Sequence, residues 1–286
     1  MPTATRTGNT MGAEVTGADL SRAMDEAQFA AIQALFLEHQ VLVFRGQKLT
    51  ARQFLSFSAH FGLAEPHVLD QFHHPNYADI LILSNVRKHG KPTGLADGGT
   101  YWHSDYSYLE IPARATLLYS IEVPRTGGET LFADQVTAYD DLPDSMKRWI
   151  DGLVAIHHYG NRDDYDLSSR TVAYPPDERQ KQLRGITLIK HPLVRRHPLT
   201  GRKALYAVSG TSVGIEGMPE DEALELLREL ARHSTQERYR FSVRYGVGDV
   251  VIWDNAAVLH SATLVDPDDP RTLWRITVKE RERPRA

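Results

Sequence analysis

The segment YWHSDY at residues 101–106 places an imidazole, His103, two residues before a carboxylate, Asp105. Its aromatic residues favour a buried strand, in which alternate side chains share a face, so Tyr101, His103 and Asp105 would point to the same side. Histidine and aspartate can ligate a metal ion, but a buried histidine also pairs with an aspartate for purely structural reasons. This segment alone leaves both interpretations open.

A third candidate ligand is His260, which lies in the segment WDNAAVLHSAT near the start of a predicted strand. The chain has no cysteine, so any metal ion must be bound by nitrogen and oxygen atoms. Two imidazoles and one carboxylate form a facial triad that leaves coordination positions open, which suits Fe(II) in an oxygenase. The pattern is weak by itself, because the chain contains 13 histidines.

Two arginines in the segment RTLWRITVKE, Arg271 and Arg275, share one face of a predicted strand. A buried guanidinium group needs an anion, and its planar fork matches a carboxylate. Fe²⁺, one aspartate and a dianionic 2-oxo diacid together carry one net negative charge, which one arginine neutralises. We therefore expect an arginine to bind the co-substrate of an iron site, although Arg271 could instead pair with Asp266 or Asp268 at the surface.

The elements that must position these residues are mostly strands. Periodicity predicts helices around 29–36, from a Thr50 cap to about 61, from Pro143 to about 153, and over 219–234. Apolar or alternating runs predict strands at 41–44, 79–85, 113–124, 188–194, 203–209, 238–245, 249–255, 257–263 and 271–280. Strands joined by turns rather than by crossover helices favour an antiparallel sandwich or jelly roll with helical decoration.

The chain shows no linker, so we expect one domain over 1–286, with mobile loops at 86–100 and 160–185. A net charge of −4 argues against a nucleic-acid partner and favours a small molecule. No apolar run approaches the length of a membrane span, so we expect no membrane partner and a cytoplasmic location. The oligomeric state is not fixed by the sequence, and a homo-oligomer remains compatible with it.

Four segments, WHSD, TGGETLFAD, VIWDNAAVLH and RTLWR, resemble in order and spacing the taurine dioxygenase and 2,4-dichlorophenoxyacetate dioxygenase family. These enzymes depend on Fe(II) and 2-oxoglutarate, and their fold is a double-stranded β-helix, a jelly-roll variant. The resemblance implies that His103, Asp105 and His260 bind iron. It also implies that Thr130 and Arg275 hold the far carboxylate of 2-oxoglutarate, with Arg271 as a supporting arginine.

The resemblance further implies the reaction. 2-Oxoglutarate and O₂ are consumed, succinate and CO₂ are released, and a small organic substrate is hydroxylated. Family substrates are mostly sulfonates, sulfates or carboxylates, and His67 matches a substrate-contacting position, with Tyr101 on the ligand face as a second candidate. The segment GLADGGT before YWHSD and Asp70 depart from taurine enzymes, so taurine itself is not expected. The sequence does not decide between C–S, C–O and C–N cleavage after hydroxylation.

Two alternatives use the same scaffold. A zinc-dependent hydrolase or lyase could use the same two histidines and aspartate, but it would not need Thr130 and Arg275 to bind a diacid. A non-catalytic jelly-roll binding module would have no reason to keep the complete triad. We therefore expect a 2-oxoglutarate-dependent dioxygenase.

Overall fold

A computed structural model of the chain describes residues 1–96, 98–158 and 188–286. Five α-helices occur in these ranges: α1 Glu26–His39, α2 Ala51–Ser58, α3 Gln135–Asp140, α4 Asp144–Ile150 and α5 Glu220–Ser234. No helix within these ranges combines the length and the apolar character that crossing a membrane requires. The predicted loop at 160–185 lies outside the described residues and stays a prediction.

Eighteen strands occur in the same ranges, and most are short. The first nine are β1 Thr3–Arg6, β2 Ala13–Thr16, β3 Val41–Phe44, β4 His73–His74, β5 Tyr77–Ser84, β6 Arg87–Lys88, β7 Lys91–Pro92, β8 Ala113–Glu122 and β9 Thr130–Asp134. The other nine are β10 Val154–His157, β11 Ile189–Pro192, β12 Val194–Arg196, β13 Lys203–Leu205, β14 Ser212–Ile215, β15 Arg240–Val243, β16 Val250–Asp254, β17 Val258–Ala262 and β18 Thr272–Lys279. The described chain is therefore mainly β, as the sequence predicts.

Two sheets form the centre of the fold. The larger sheet has eight strands in the order β1-β2-β3-β16-β8-β18-β5-β4, and its only parallel pair is β2 with β3. That pair runs parallel because α1 connects the two strands. The smaller sheet has three antiparallel strands in the order β15-β9-β17. Antiparallel pairing was expected from strands that are separated by turns, and it dominates both sheets.

Alternate side chains of β16 show that the larger sheet is covered on both faces. Val250 and Ile252 join a core that includes aromatic residues of α1 and α2. Val251 and Trp253 point the other way, into a core shared with Phe132 of the smaller sheet. A strand covered on both faces reads as a continuous apolar run, which is how this segment reads. The larger sheet thus packs against α1 and α2 on one face and against the smaller sheet on the other.

The two N-terminal helices each begin at a capping box. The Asp25 carboxylate accepts the Gln28 backbone N–H, and the Gln28 side chain accepts the Asp25 N–H. Thr50 and Gln53 make the same reciprocal pair at the start of α2, so the predicted Thr50 cap is confirmed. Caps of this kind contribute about 1 kcal/mol each. They fix where α1 and α2 begin, and hence how these helices pack on the larger sheet.

The segment 86–100, which the sequence predicts as a mobile loop, contains regular backbone pairing in the part that the structure describes. Its described part contains the β6–β7 hairpin. Leu95 then exchanges backbone hydrogen bonds with Ile82 and Ser84 of β5. The physical reason is that the end of β5 extends beyond β4, so its backbone groups would otherwise lack partners on that side. Composition alone did not reveal this pairing.

Candidate metal centre and co-substrate cavity

His103, Asp105 and His260 lie together between the two sheets. Their side chains offer one nitrogen or oxygen atom each, and these atoms all lie within 4.8 Å of one another. His260 belongs to β17, and it exchanges two backbone hydrogen bonds with His103, at 3.0 and 2.9 Å. This single antiparallel bridge brings the two imidazole rings to 4.1 Å between centroids.

The strand predicted for YWHSDY is wrong. His103 makes an isolated bridge, and the chain then turns through residues 105–108, with Tyr106 at a φ of 55°. The turn forms its hydrogen bonds with side chains rather than with a neighbouring strand. The Asp105 N–H donates to the Asn255 side chain, and the Ser107 hydroxyl pairs with the Thr211 hydroxyl. Asp105 therefore reaches His103 through a turn, not through the alternation of a strand.

The space around His103 is kept open by two glycines. A Cβ atom added to Gly99 would lie 2.6 Å from Cε1 of His103, and one added to Gly210 would lie 2.7 Å from its Cβ. Both glycines have positive φ angles, 76° and 81°, which glycine adopts without strain. A larger residue at either position would displace the imidazole.

Hydrogen bonding and burial leave the ligand atoms in the forms that a divalent cation needs. Nδ1 of His103 donates to the Tyr101 carbonyl at 2.7 Å, and Nε2 lies 3.6 Å from Oδ1 of Asp105, so Nε2 is the nitrogen that faces the site. Burial, reinforced by the nearby His103, holds the pKa of His260 well below its usual range, so this ring is neutral. Burial raises the pKa of Asp105, but Arg275, His260 and His103 together bring it well below the usual range. A neutral imidazole beside an ionised carboxylate fits a metal ion.

A buried polar network orients the Asp105 carboxylate. The Thr116 hydroxyl donates to Oδ2 of Asp105 at 2.6 Å, and Nδ2 of Asn255 donates to the Thr116 oxygen at 2.9 Å. Oδ1 of Asn255 accepts the Asp105 backbone N–H at 3.2 Å. Sequence reasoning missed both partners. Their signals were a polar residue inside the apolar strand ARATLLYS and the asparagine of the WDN turn.

Both arginines and both histidines line a narrow cavity of about 40 Å³, and the contacts of the two arginines distinguish a metal end from a Thr130 end. Arg275 belongs to the metal end, where its Nη2 donates to Oδ1 of Asp105 at 2.5 Å and its guanidinium carbon lies 5.8 Å from the centre of the Tyr106 ring. Its Nε is buried and has no hydrogen-bond partner among the described residues. Nε is therefore a donor that is available to a bound anion.

Arg271 belongs to the other end of the cavity, together with Thr130. The Thr130 hydroxyl lies 2.7 Å from the hydroxyl of Tyr245, and both residues are buried. Burial raises the pKa of Tyr245 to about 12, although the Thr130 hydrogen bond and the Arg271 charge act to lower it, so Arg271 is close by. A Cβ on Gly128 would lie 3.3 Å from Cδ of Arg271, so the TGGET turn lets this arginine approach.

Comparison with known proteins identifies the family of this chain. Residues 3–277 match the Taurine catabolism dioxygenase TauD, TfdA family. The chain belongs to this family. It is a 2-oxoglutarate-dependent non-haem iron dioxygenase, and the family assignment supports neither the zinc hydrolase nor the non-catalytic binding module.

Individual TauD/TfdA relatives match over nearly their whole length. An alpha-ketoglutarate-dependent 2,4-dichlorophenoxyacetate dioxygenase of Cupriavidus pinatubonensis is 35% identical over 276 residues, 93% of each chain. An alpha-ketoglutarate-dependent sulfate ester dioxygenase of Pseudomonas putida is 31% identical over 94% of this chain and 86% of its own. The solved structure of AAD-2 in complex with Mn(II) and N-oxalylglycine has a TM-score of 0.81, with 29% identity over 99% of both chains.

The two predicted substrate residues of this TauD/TfdA chain lie at the margin of the site. The Tyr101 ring is 4.8 Å from the His103 ring, between centroids. Nδ1 of His67 accepts the Leu69 backbone N–H, and the His67 ring lies 6.1 Å from the Tyr106 ring. Neither is among the described residues that line the narrow cavity. His67 is thus connected to Arg275 through Tyr106, a residue that sequence reasoning did not single out.

Proposed function

We propose that His103, Asp105 and His260 hold Fe(II), and that the chain hydroxylates a small organic monoanion with 2-oxoglutarate and O₂ as co-substrates. The observation that carries the proposal is the convergence of three ligand atoms that all lie within 4.8 Å of one another. With iron bound, this chemistry couples the decarboxylation of 2-oxoglutarate to succinate and CO₂ with oxidation of a C–H bond. The protein's own contribution is to bind, orient and shield the reactants.

Thr130 and Arg271 are assigned to the far carboxylate of 2-oxoglutarate. The sequence-based assignment gave the larger role to Arg275, but Arg271 is the arginine at the Thr130 end of the cavity. Support for a diacid comes from AAD-2, whose bound N-oxalylglycine is a diacid of the same length, with an amide N–H in place of a methylene group. A guanidinium and a hydroxyl can bind such a carboxylate together.

Arg275 is assigned to the anionic group of the prime substrate. Its Nη2 holds Asp105, while its Nε still lacks a partner among the described residues, so one guanidinium can serve both groups. Fe²⁺, Asp105 and dianionic 2-oxoglutarate leave one negative charge, and Arg271 with Arg275 turn this into one positive charge. A substrate with a single negative charge makes the buried site neutral, which lowers its electrostatic cost.

The substrate class that follows is a carboxylate, sulfonate or sulfate ester of a small organic molecule. Two relatives support this class by name, a 2,4-dichlorophenoxyacetate dioxygenase and a sulfate ester dioxygenase. His67 and Tyr101 are assigned to the wall of the substrate site. His67 acts through Tyr106, and Tyr101 orients His103 by accepting its Nδ1–H.

The two central sheets are assigned to one double-stranded β-helix, and the chain to a single dioxygenase domain. The eight-stranded and three-stranded sheets face each other across a shared apolar layer, as a jelly roll requires. A homo-oligomer and a cytoplasmic location stay predictions from the sequence.

A coupled succinate assay tests the proposed function. Fe(II)-loaded protein is given 2-oxoglutarate, O₂ and matched pairs of compounds, each an aryloxyalkanoate, sulfonate or alkyl sulfate beside its neutral amide or ester. We expect succinate release to be stimulated by anions and not by their neutral partners. Zn(II)-loaded protein is the control and should release none. Stimulation by neutral or cationic compounds alone would overturn the substrate class, while absence of iron-dependent turnover with every compound would count against the metal and co-substrate assignment.

A further inference from the structure

A second cavity, of about 740 Å³, lies between the β12–β13 hairpin and the C-terminal residues 280–286. It shares no lining residue with the narrow cavity at the metal centre. Six arginines line it, and we call it the arginine cavity: Arg114, Arg195, Arg196, Arg281, Arg283 and Arg285. Nothing in the proposed reaction uses these side chains.

The arginine cavity concentrates positive charge on a chain that is acidic as a whole. Among the described residues, its lining contains the acidic side chains Glu280 and Glu282, and Glu110 pairs with Arg283, so the side chains leave a surplus of three positive charges. The chain as a whole carries a net charge of −4. A concave region whose charge is opposite to that of its surroundings focuses the field and attracts counter-ions. The charge distribution therefore points to an anion.

Three of the six guanidinium groups already have carboxylate partners. Arg195 is only 2% exposed, donates to Glu280 at 3.0 Å and lies 4.7 Å above the centre of the Tyr206 ring. Arg283 pairs with Glu110 at 2.6 Å. Arg285 pairs with Glu282. The buried Arg195–Glu280 pair anchors the wall of the cavity, and the three pairs together neutralise half of its six arginines.

The other three guanidinium groups have no carboxylate within 4.0 Å among the described residues: Arg114, Arg196 and Arg281. Arg114 uses Nη1 to donate to the Phe61 carbonyl at 2.7 Å, while its Nη2 is buried and has no partner in the described part of the chain. Among the described residues, the Arg196 side chain donates to the Gly201 carbonyl, at 3.4 Å. Three like charges around one cavity repel each other, and a bound anion relieves that repulsion.

We propose that the arginine cavity binds a multivalent oxyanion. Three unpaired guanidinium groups match two or three negative charges, and their planar forks pair with oxygen atoms of a phosphate or carboxylate group in the same bidentate way. The hairpin and residues 280–286 support the site from both sides, since the Arg196 N–H donates to the Arg285 carbonyl at 2.8 Å. This site is independent of the iron centre and of the proposed reaction.

Isothermal titration of the full-length protein with pyrophosphate, with citrate and with sodium chloride at matched ionic strength tests the site. We expect saturable binding of a multivalent anion and none of chloride, with affinity falling as salt rises. Pyrophosphate binding without citrate binding would identify a phosphoryl ligand, and binding of both a general polyanion site. The absence of saturable binding by either probe would overturn the proposal.

Substitutions of the cavity arginines test where the anion binds. Arg196→Gln with Arg281→Gln removes two exposed, unpaired charges and should weaken binding at least about tenfold. The matched control, Arg228→Gln with Arg232→Gln on exposed positions of α5, changes net charge equally and should leave affinity within about twofold. Arg275→Gln should also bind normally, because loss of binding there would place the anion at the metal centre. Unchanged affinity in the Arg196/Arg281 variant, with its thermal midpoint intact, would overturn the assignment.

Discussion

The two ends of the narrow cavity are built from different kinds of structure. At the co-substrate end, Thr130 lies in β9 and Arg271 directly precedes β18, so sheet pairing fixes their positions. At the metal and substrate end, Asp105 and Tyr106 lie in a turn, and His67 lies in an irregular segment before β4. The co-substrate end is therefore placed by sheet pairing alone, whereas the metal and substrate end combines the strand-borne His260 and Arg275 with groups that are placed by turns.

Strand register explains why the side chains that lie on strands have well-defined positions around the cavity. Ala262 of β17 pairs with Thr130 of β9, and His260 lies two residues earlier on the same face as Ala262. In the larger sheet, Arg275 of β18 pairs with Leu118 of β8, and both line the cavity. A one-residue slip in either pairing would turn every one of these side chains away from the cavity.

The largest expected loss of activity comes from substitution of the three proposed metal ligands. His103→Ala, Asp105→Ala and His260→Ala should each reduce succinate formation to below about a hundredth of wild type, because no thiolate is available to replace a lost ligand. Mn(II) affinity, measured by electron paramagnetic resonance, should fall in parallel. His89→Ala, at an exposed histidine, is the control. More than a tenth of the activity with iron retained in any ligand variant would contradict the triad.

The next effect separates the two arginines. Arg271→Leu should raise the KM for 2-oxoglutarate far more than the KM for the prime substrate, and Arg275→Leu should do the reverse. Each loss removes one member of a buried ion pair, which typically costs about 3–5 kcal/mol. Steady-state kinetics with each reactant varied in turn measures the split.

Lysine at each arginine position serves as the matched control. Lys should restore only part of the loss at either position, because an ammonium lacks the bidentate fork. If Arg275→Leu mainly raised the KM for 2-oxoglutarate and Arg271→Leu mainly raised the KM for the prime substrate, the assignment of the two ends would be reversed.

A smaller effect is expected at Thr116, which links strand β8 to the turn-borne Asp105. Thr116→Val keeps the shape but removes the hydroxyl that donates to Oδ2 of Asp105. Loss of a partner of this kind typically weakens metal binding about 10- to 100-fold. Thr116→Ser keeps the hydroxyl and should recover most of the Mn(II) affinity. Equal Mn(II) affinity in Thr116→Val and wild type would show that the turn alone positions Asp105.

The difference between residues placed by strands and residues placed by turns also decides which features could be predicted from the sequence. Periodic and apolar runs gave α5 and the strand at 41–44 with nearly correct bounds, since these signals are local. The motif blocks brought His103, Asp105 and His260 together, as the structure does. The YWHSDY segment was predicted as a strand because its aromatic content fits one, but its partners, Asn255 and Thr211, are distant in sequence. No local signal could have revealed them.

The N-terminal strands show a second limit of the same kind. β1 and β2 have little apolar periodicity, and they form strands because the larger sheet offers β3 as a partner. Arg271 and Arg275 share a strand face, so parity could place both in the cavity, but it could not say which end each one serves. That distinction depends on Thr130 and Asp105, which belong to other elements.

The smallest effect is expected at the irregular substrate end. His67→Ala should raise the KM for the prime substrate by no more than about tenfold, since the His67 ring contacts Tyr106, whose ring lies beside Arg275, and such ring contacts are worth about 0.5–1.5 kcal/mol. The KM for 2-oxoglutarate should not change. His74→Ala, at a half-buried histidine of β4 that contacts Tyr77 and Trp274, is the control. A larger change for 2-oxoglutarate than for substrate would mean that His67 belongs to the co-substrate end.

An anaerobic titration of the Fe(II)-loaded protein with 2-oxoglutarate, followed by visible absorption, tests the central claim most directly. A weak charge-transfer band should grow to saturation in wild type, require a much higher 2-oxoglutarate concentration in Arg271→Leu, and be absent from Asp105→Ala. The control variant His89→Ala should match wild type. No band in wild type, or a band of equal strength and midpoint in Asp105→Ala, would contradict an iron and 2-oxoglutarate site built from His103, Asp105, His260 and Arg271.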